Sequence, residues 1–177
     1  MDDSWQSIFN FDFVEFTSIV VDSSSFSSSS GEFLCKSTDN LVFSNTNFTD
    51  SNYTLIEASS ITSMNMSSVI VTGSNYQLFK IISKYLHLLF MNITSNTYPI
   101  SQSAIIDFAT VPSIFIESQN VLVSNTTVSK NINTNGEIIL LYHPQLENHL
   151  SNITIQSSRF SNNQHTAVKI LNQGAIV

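Results

Sequence analysis

Leu41-Val42-Phe43-Ser44-Asn45-Thr46-Asn47-Phe48 decides the fold, because its spacing recurs along the chain. Written as apolar, x, apolar, x, Ser or Asn, x, x, apolar, the same order runs through Ile19-Val21-Ser23-Phe26 and Met64-Met66-Ser68-Val71. It returns as Val121-Val123-Asn125-Val128 and Ile153-Ile155-Ser157-Phe160, with a looser copy at Leu88-Phe90-Asn92. In that looser copy Leu86-Leu88-Phe90-Ile93 fits the spacing nearly as well. The first three copies start about 22 to 23 residues apart, a period that marks a stacked repeat. Later starts, at Leu88, Val121 and Ile153, open to roughly 24, 33 and 32 residues, as loop insertions would.

Alternation with period two describes a strand with one buried face. Each copy is short and bounded by Ser, Asn, Thr, Gly or Asp, which favour turns. The fifth-position residues Ser23, Asn45, Ser68, Asn125 and Ser157 end their strands. They are expected to stack at one corner and point inward, where polar side chains can bond along the ladder. A second strand family precedes the first: Glu32–Cys35, Thr54–Glu57, Gln77–Ile81, Ala104–Phe108, Glu137–Leu141 and Ala167–Leu171. Ser113-Ile114-Phe115-Ile116-Glu117 reads as a third face. Two families advancing together predict an all-β parallel β-helix, a solenoid of about six coils with little or no α-helix. Coils about 4.8 Å apart would give a stub near 30 Å long. The competing fold is a two-sheet sandwich, which also has short strands and frequent turns. A sandwich does not require one side-chain pattern to repeat, and this chain repeats one. Ile81–Phe90 carries mixed helical signals but sits where the repeat places a strand.

The 177 residues make one domain, residues 1–177, with enough chain for a real core. Hydrophobic residues are 42% and charged residues only 11%, against a usual charged share of about 25%. Ser, Thr and Asn fill the gap at about 37% of the chain. Such a low-charge, hydroxyl- and amide-rich surface suits exported structural β-proteins. A net charge of −7 with six Lys and Arg cannot neutralise a phosphate backbone, so nucleic acid is excluded as a partner. An anionic lipid surface is disfavoured for the same reason. No apolar run approaches the roughly 18 residues of a membrane-spanning helix. Met1-Asp2-Asp3-Ser4 lacks the basic n-region of a signal peptide. Gly174-Ala175-Ile176-Val177 stops in mid-strand, and neither end carries an amphipathic cap. The expectation is a piece of a longer protein, completed through its open ends by the remainder of its own chain or by other subunits.

Candidate site residues are few. Six Asn-x-Ser/Thr sequons occur, at Asn47, Asn52, Asn65, Asn92, Asn125 and Asn152. With Asn92 and Asn125 assigned to inward ladder positions, Asn47, Asn52, Asn65 and Asn152 remain as glycosylation candidates. Cys35 is the single cysteine, so no internal disulfide can form, and an alternating strand makes it a small buried hydrophobe. Polysaccharide-cleaving enzymes need clustered carboxylates. Here the acids are scattered, and Asp107, Glu117 and Glu137 form the nearest approach to a group, best explained as solvated surface charges. His143, His149 and His165 match no zinc spacing and read as exposed turn residues, and His87 as an outward strand residue. Arg159, the sole arginine, has no acidic sequence neighbour. The Ser23–Ser30 run is broken at Phe26, so an ordered corner is expected there rather than a flexible loop. No cofactor and no metal is implied.

The last repeat, with Asn152-Ile153-Thr154-Ile155, Phe160-Ser161-Asn162-Asn163 and Gln173-Gly174-Ala175-Ile176, resembles the FxxN and GGAI repeats of the polymorphic outer-membrane protein family. It is also similar to large protist surface proteins with pectin-lyase-like β-helices. The resemblance implies a right-handed helix in a secreted or surface protein serving adhesion or structure, with no catalytic residues. A carbohydrate-active or carbohydrate-binding β-helix is the alternative. Its cleaving residues would lie outside this piece, and Tyr53, Tyr76, Tyr85 and Tyr98 would offer a passive sugar-binding face.

Overall fold

In the computed structural model, residues 9–10, 16–27, 33–51, 55–75, 78–98, 114–133, 138–143, 152–164 and 167–172 are described. They are all-β, contain no helix, and every strand pairing is parallel. Ten strands form one sheet among the described residues, six short ones a second, and two a third.

The large sheet merges the two strand families expected from the repeat. Ile56–Ser67, Phe79–Leu89 and Ile114–Ser124 each run through both without a break. Ile56–Ser67 is flanked on one side by the separate strands Phe33–Cys35 and Thr38–Ser44. Ile114–Ser124 is likewise flanked by Ile139–His143 and Asn152–Gln156. Phe9–Asn10, Phe16–Asp22 and Val168–Asn172 complete the sheet. Its register is the repeat itself: Leu41 faces Met64, Met64 faces Leu86, and Leu86 faces Val121. Because the side-chain period is two, that register keeps these apolar partners on one face.

The second sheet stacks Ser25–Ser27, Asn47–Thr49, Ile70–Thr72, Asn92–Thr94, Thr127–Ser129 and Arg159–Ser161. Its central residues are the returning apolar positions, with Phe48, Val71, Ile93 and Val128 buried. The third face is Thr97–Tyr98 against Ile132–Asn133, with a bridge from Ile132 to Gln164. Ser113–Glu117 is therefore not the third face. Ile114 and Ile116 pair with Phe79 and Ile81 on one side and with Ile139 and Leu141 on the other, inside the large sheet. That is the place the periodicity assigned to Ala104–Phe108, which lies outside the described residues.

The core lies between the sheets as columns of like side chains, such as Phe43, Met66, Leu88 and Val123. Phe26 stacks on Phe48 with centroids 5.1 Å apart, and Phe33 meets Phe43 edge-on at 5.0 Å. Such pairs add specific geometry to the area they bury. The Ser23–Ser27 part of the serine run is an ordered corner and strand, with Phe26 packed against the core.

Two expectations need correction. The repeat through residue 90 follows Leu86-Leu88-Phe90-Ile93, because Leu86 and Leu88 are the buried partners of Met64 and Met66. Starting at Leu88 instead would displace the whole copy by two residues and leave Leu86 without its column. The corner residues Ser23, Asn45, Ser68, Asn125 and Ser157 do share one corner, joined by Phe90, but all face solvent. Each has φ between 49° and 55°, the left-handed conformation that reverses chain direction between the two sheets. Asn tolerates that conformation better than most residues, which accounts for Asn45 and Asn125 without an inward ladder. The next residue turns inward instead. Thr46 and Thr126 are buried there, and Ser24 and Ser158 half-buried.

Candidate functional site

Buried polar side chains line the two corners that flank the short sheet, while Thr38, Ser83 and Ser118 are buried within the large sheet. At the first, Thr46 Oγ1 donates to the Ser44 carbonyl at 2.8 Å, and Thr126 Oγ1 to the Ser124 carbonyl at 3.1 Å. The Thr126 hydroxyl also accepts from the Met91 amide, linking neighbouring strands. The second corner follows the apolar residue of the short strands and again uses positive φ, at Asp50, Gly73, Ser95, Lys130 and Asn162. Gly73 is the one glycine among them, and a Cβ there would clash with Asp50 Oδ1.

One residue further on lies the amide ladder that the sequence pattern had placed at the wrong corner. Asn96 and Asn131 are buried and Asn163 half-buried. Asn96 Nδ2 donates to Asn131 Oδ1 at 3.0 Å, and Asn131 Nδ2 to Asn163 Oδ1 at 3.1 Å. Backbone amides join in register: Ser74 N–H donates to Asn96 Oδ1, Asn96 N–H to Asn131 Oδ1, and Asn131 N–H to Asn163 Oδ1. The remaining amide hydrogens reach the carbonyls of Val71, Ile93 and Val128. The signal was present in the sequence. Ile93-Thr94-Ser95-Asn96, Val128-Ser129-Lys130-Asn131 and Phe160-Ser161-Asn162-Asn163 share one spacing, masked because only the last begins with Phe. Ser51 and Ser74 hold the same position in earlier repeats.

The outer surface is polar but sparsely charged. Asp22, fully exposed, accepts hydrogen bonds from the hydroxyls of Ser44 and Ser23 and from Asn45 Nδ2. Those donors, Ser44 first, hold its carboxyl below the ordinary range. Lys80 pairs with Glu57 at 2.7 Å across adjacent strands, both ends partly exposed. Lys84 stands 5.2 Å over the Tyr85 ring. Cys35 is buried, and desolvation pushes its thiol pKa up, which suits the expected structural role.

Of the glycosylation candidates, Asn47 and Asn152 are exposed and Asn65 is half-buried. Asn65 Nδ2 donates to Ser63, while its Oδ1 lies 2.8 Å from His87 Nδ1. Asn52 lies outside the described residues. Asn92 and Asn125, set aside as inward, are both exposed. Asn125 is a left-handed corner residue and Asn92 opens a short strand with its side chain outward. Glu117 is half-buried, with Ile82 and Tyr142 as its register neighbours. Asp107, Glu137, His149, His165, Tyr53 and Tyr76 lie outside the described residues, and only the backbone is described at His143 and Tyr98. Among the described residues no three His, Cys, Asp or Glu side chains gather as a metal site would require. Among them, too, no helix is long and apolar enough to cross a membrane. Comparison with protein-family models, curated proteins and solved structures finds no match.

Proposed function

We propose that the chain is a right-handed parallel β-helix segment with a structural or adhesive, non-catalytic role in an extracellular or surface assembly. The helical winding is supported by the succession of large sheet, short sheet and third face, repeated in register from one copy to the next. Right-handedness follows from the chirality of parallel crossovers, right-handed in about 98% of cases. The low charge and the Ser, Thr and Asn excess support an exported setting.

The observation that carries the assembly role is at the terminal strands. Ile19, Val21 and Phe26 at one end, and Ile153, Phe160 and Val168 at the other, are core residues left half-buried. Among the described residues Phe16–Asp22 and Asn152–Gln156 each have one pairing partner, so each carries a free edge. Free edges and half-covered columns of this kind accept further strands in the same register. Those strands come from more of the same chain or from another subunit.

Sedimentation over a range of concentrations tests this. End-to-end association that falls in Ile155→Lys, a charge on an already exposed edge residue, is the expected result. A monomer at every concentration, coupled with turnover of pectin, alginate or a related polymer, would overturn the assembly role and favour a carbohydrate-active protein.

A further inference from the structure

Phe90 is the anomaly of the outer surface. It is the aromatic member of a corner column otherwise made of Ser23, Asn45, Ser68, Asn125 and Ser157. Its φ is 55° and it is 60% exposed, so a bulky ring occupies a strained backbone conformation without gaining burial. Strain of this kind points from an observed outlier to a function. Two residues on, Asn92 is exposed, and Asn92-Ile93-Thr94 is a sequon whose Asn and Thr lie on the same face of one strand. Among the described residues the Asn92 side chain has no hydrogen-bond partner, unlike the tied amide of Asn65. Asn92 lies in register between Ile70, itself 39% exposed, and the half-buried Thr127. One free sequon amide thus has an exposed apolar residue two positions before it in the chain and another beside it in register.

We infer that Asn92 is an N-glycosylation site and that Phe90 is the platform for the first sugar of its glycan. This rests on the extracellular reading proposed above. The transfer bonds Asn92 Nδ2 to C1 of an N-acetylglucosamine and breaks the C1–O bond to a lipid diphosphate donor. One amide proton goes to the transferase's base and the lipid diphosphate leaves. The apolar C–H face of that sugar then packs on the negative face of the Phe90 ring. Ile70 borders the same sugar. The covering glycan accounts for both exposed apolar groups and for an aromatic at a position where every other repeat has Ser or Asn.

The test expresses the 177-residue chain behind a secretion leader in a eukaryotic host. Sites are mapped by amidase release in heavy-oxygen water followed by peptide mass spectrometry. Occupied Asn92 is expected. The melting temperature of protein trimmed to single N-acetylglucosamine residues should be higher than that of Asn92→Gln trimmed in the same way, which lacks only this sugar. In Phe90→Ser, which installs the residue that Ser68 and Ser157 already use at that corner, this glycan-dependent rise should vanish while the fold persists. Empty Asn92 beside occupied Asn47 would overturn the site and leave the extracellular reading standing. A chain secreted with every sequon empty, or retained inside the cell, would overturn both. An undiminished rise in Phe90→Ser would overturn the platform role.

Discussion

Asn131→Ala is the sharpest probe of what holds the repeats in register. The Asn131 side chain is buried at 1% exposure and serves three strands at once. Its Oδ1 accepts from Asn96 N–H and Nδ2, and its Nδ2 donates to the Ile93 carbonyl and Asn163 Oδ1. Truncation leaves the Asn96 N–H without this acceptor and the Ile93 carbonyl without this donor. Asn96 Nδ2 keeps Val71 and Thr94, and Asn163 Oδ1 keeps the Asn131 amide. The orphaned Asn96 N–H at roughly 1–3 kcal/mol and the lost amide–amide bond to Asn163 at roughly 1 kcal/mol predict a loss of about 2–4 kcal/mol. The same truncation at Asn163, half-buried in the outermost repeat of the ladder, should cost about 1 kcal/mol, because water can replace what is lost. Asn131→Asp separates geometry from chemistry. It keeps the acceptor for Asn96 but turns an anion toward Asn163 Oδ1 and the Ile93 carbonyl. The loss at neutral pH should exceed that of Asn131→Ala, because a buried anion then faces two acceptors. Urea unfolding followed by far-UV circular dichroism measures all three. Equal losses for Asn131→Ala and Asn163→Ala, or a loss below 1 kcal/mol at Asn131, would refute the ladder as a stabilising element.

Val123→Asp should unfold the chain, since an unpaired charge in a 3%-exposed core column costs several kcal/mol, whereas Val20→Asp, at 63% exposure, should shift the midpoint by less than about 0.5 kcal/mol. Ser74 occupies the ladder position with its hydroxyl buried and unbonded, so Ser74→Asn, by extending the amide stack beyond Asn96, should stabilise by roughly 1 kcal/mol in the same urea assay. Asp22 has a folded-state pKa below its unfolded value, so its contribution is present above the ordinary carboxylate range and is lost as pH falls through the folded value; Asp22→Asn should flatten that part of the acid-unfolding curve. Cys35 has a raised thiol pKa, so stability is present below the unfolded thiol value and falls as pH rises through the folded one, and a thiol reagent should modify it only at the rate of unfolding.

How much of this was legible in the sequence depends on what each residue does. Inward apolar positions are constrained on both sides by register partners, so Leu41, Met64 and Val121 announce their columns through spacing alone. The corners were harder to place. Ser and Asn occur both as left-handed turn residues facing water and as buried hydrogen-bonding rungs, so composition does not choose between Asn45 and Asn96. The choice comes from backbone direction: a positive-φ residue turns its own side chain out and sends the next one in. That rule, applied to Asp50–Ser51, Ser95–Asn96, Lys130–Asn131 and Asn162–Asn163, finds the second ladder without further information.

The same ambiguity governed the candidate sites. An inward assignment of Asn92 rests on a register two residues out at Phe90, and that of Asn125 on the opposite orientation of the corner. Both errors come from treating a polar residue at a fixed repeat position as a buried rung. Placing Leu86 opposite Met64 moves Phe90 to the corner and Asn92 to the first, outward position of its strand, in register with Ile70 and Thr127. A two-residue shift preserves strand parity, so it does not alter which side chains alternate inward along Phe79–Leu89. It changes where the strand ends. The strand end decides whether an aromatic two residues before a sequon is a core residue or a platform on the surface, and Phe90 is on the surface.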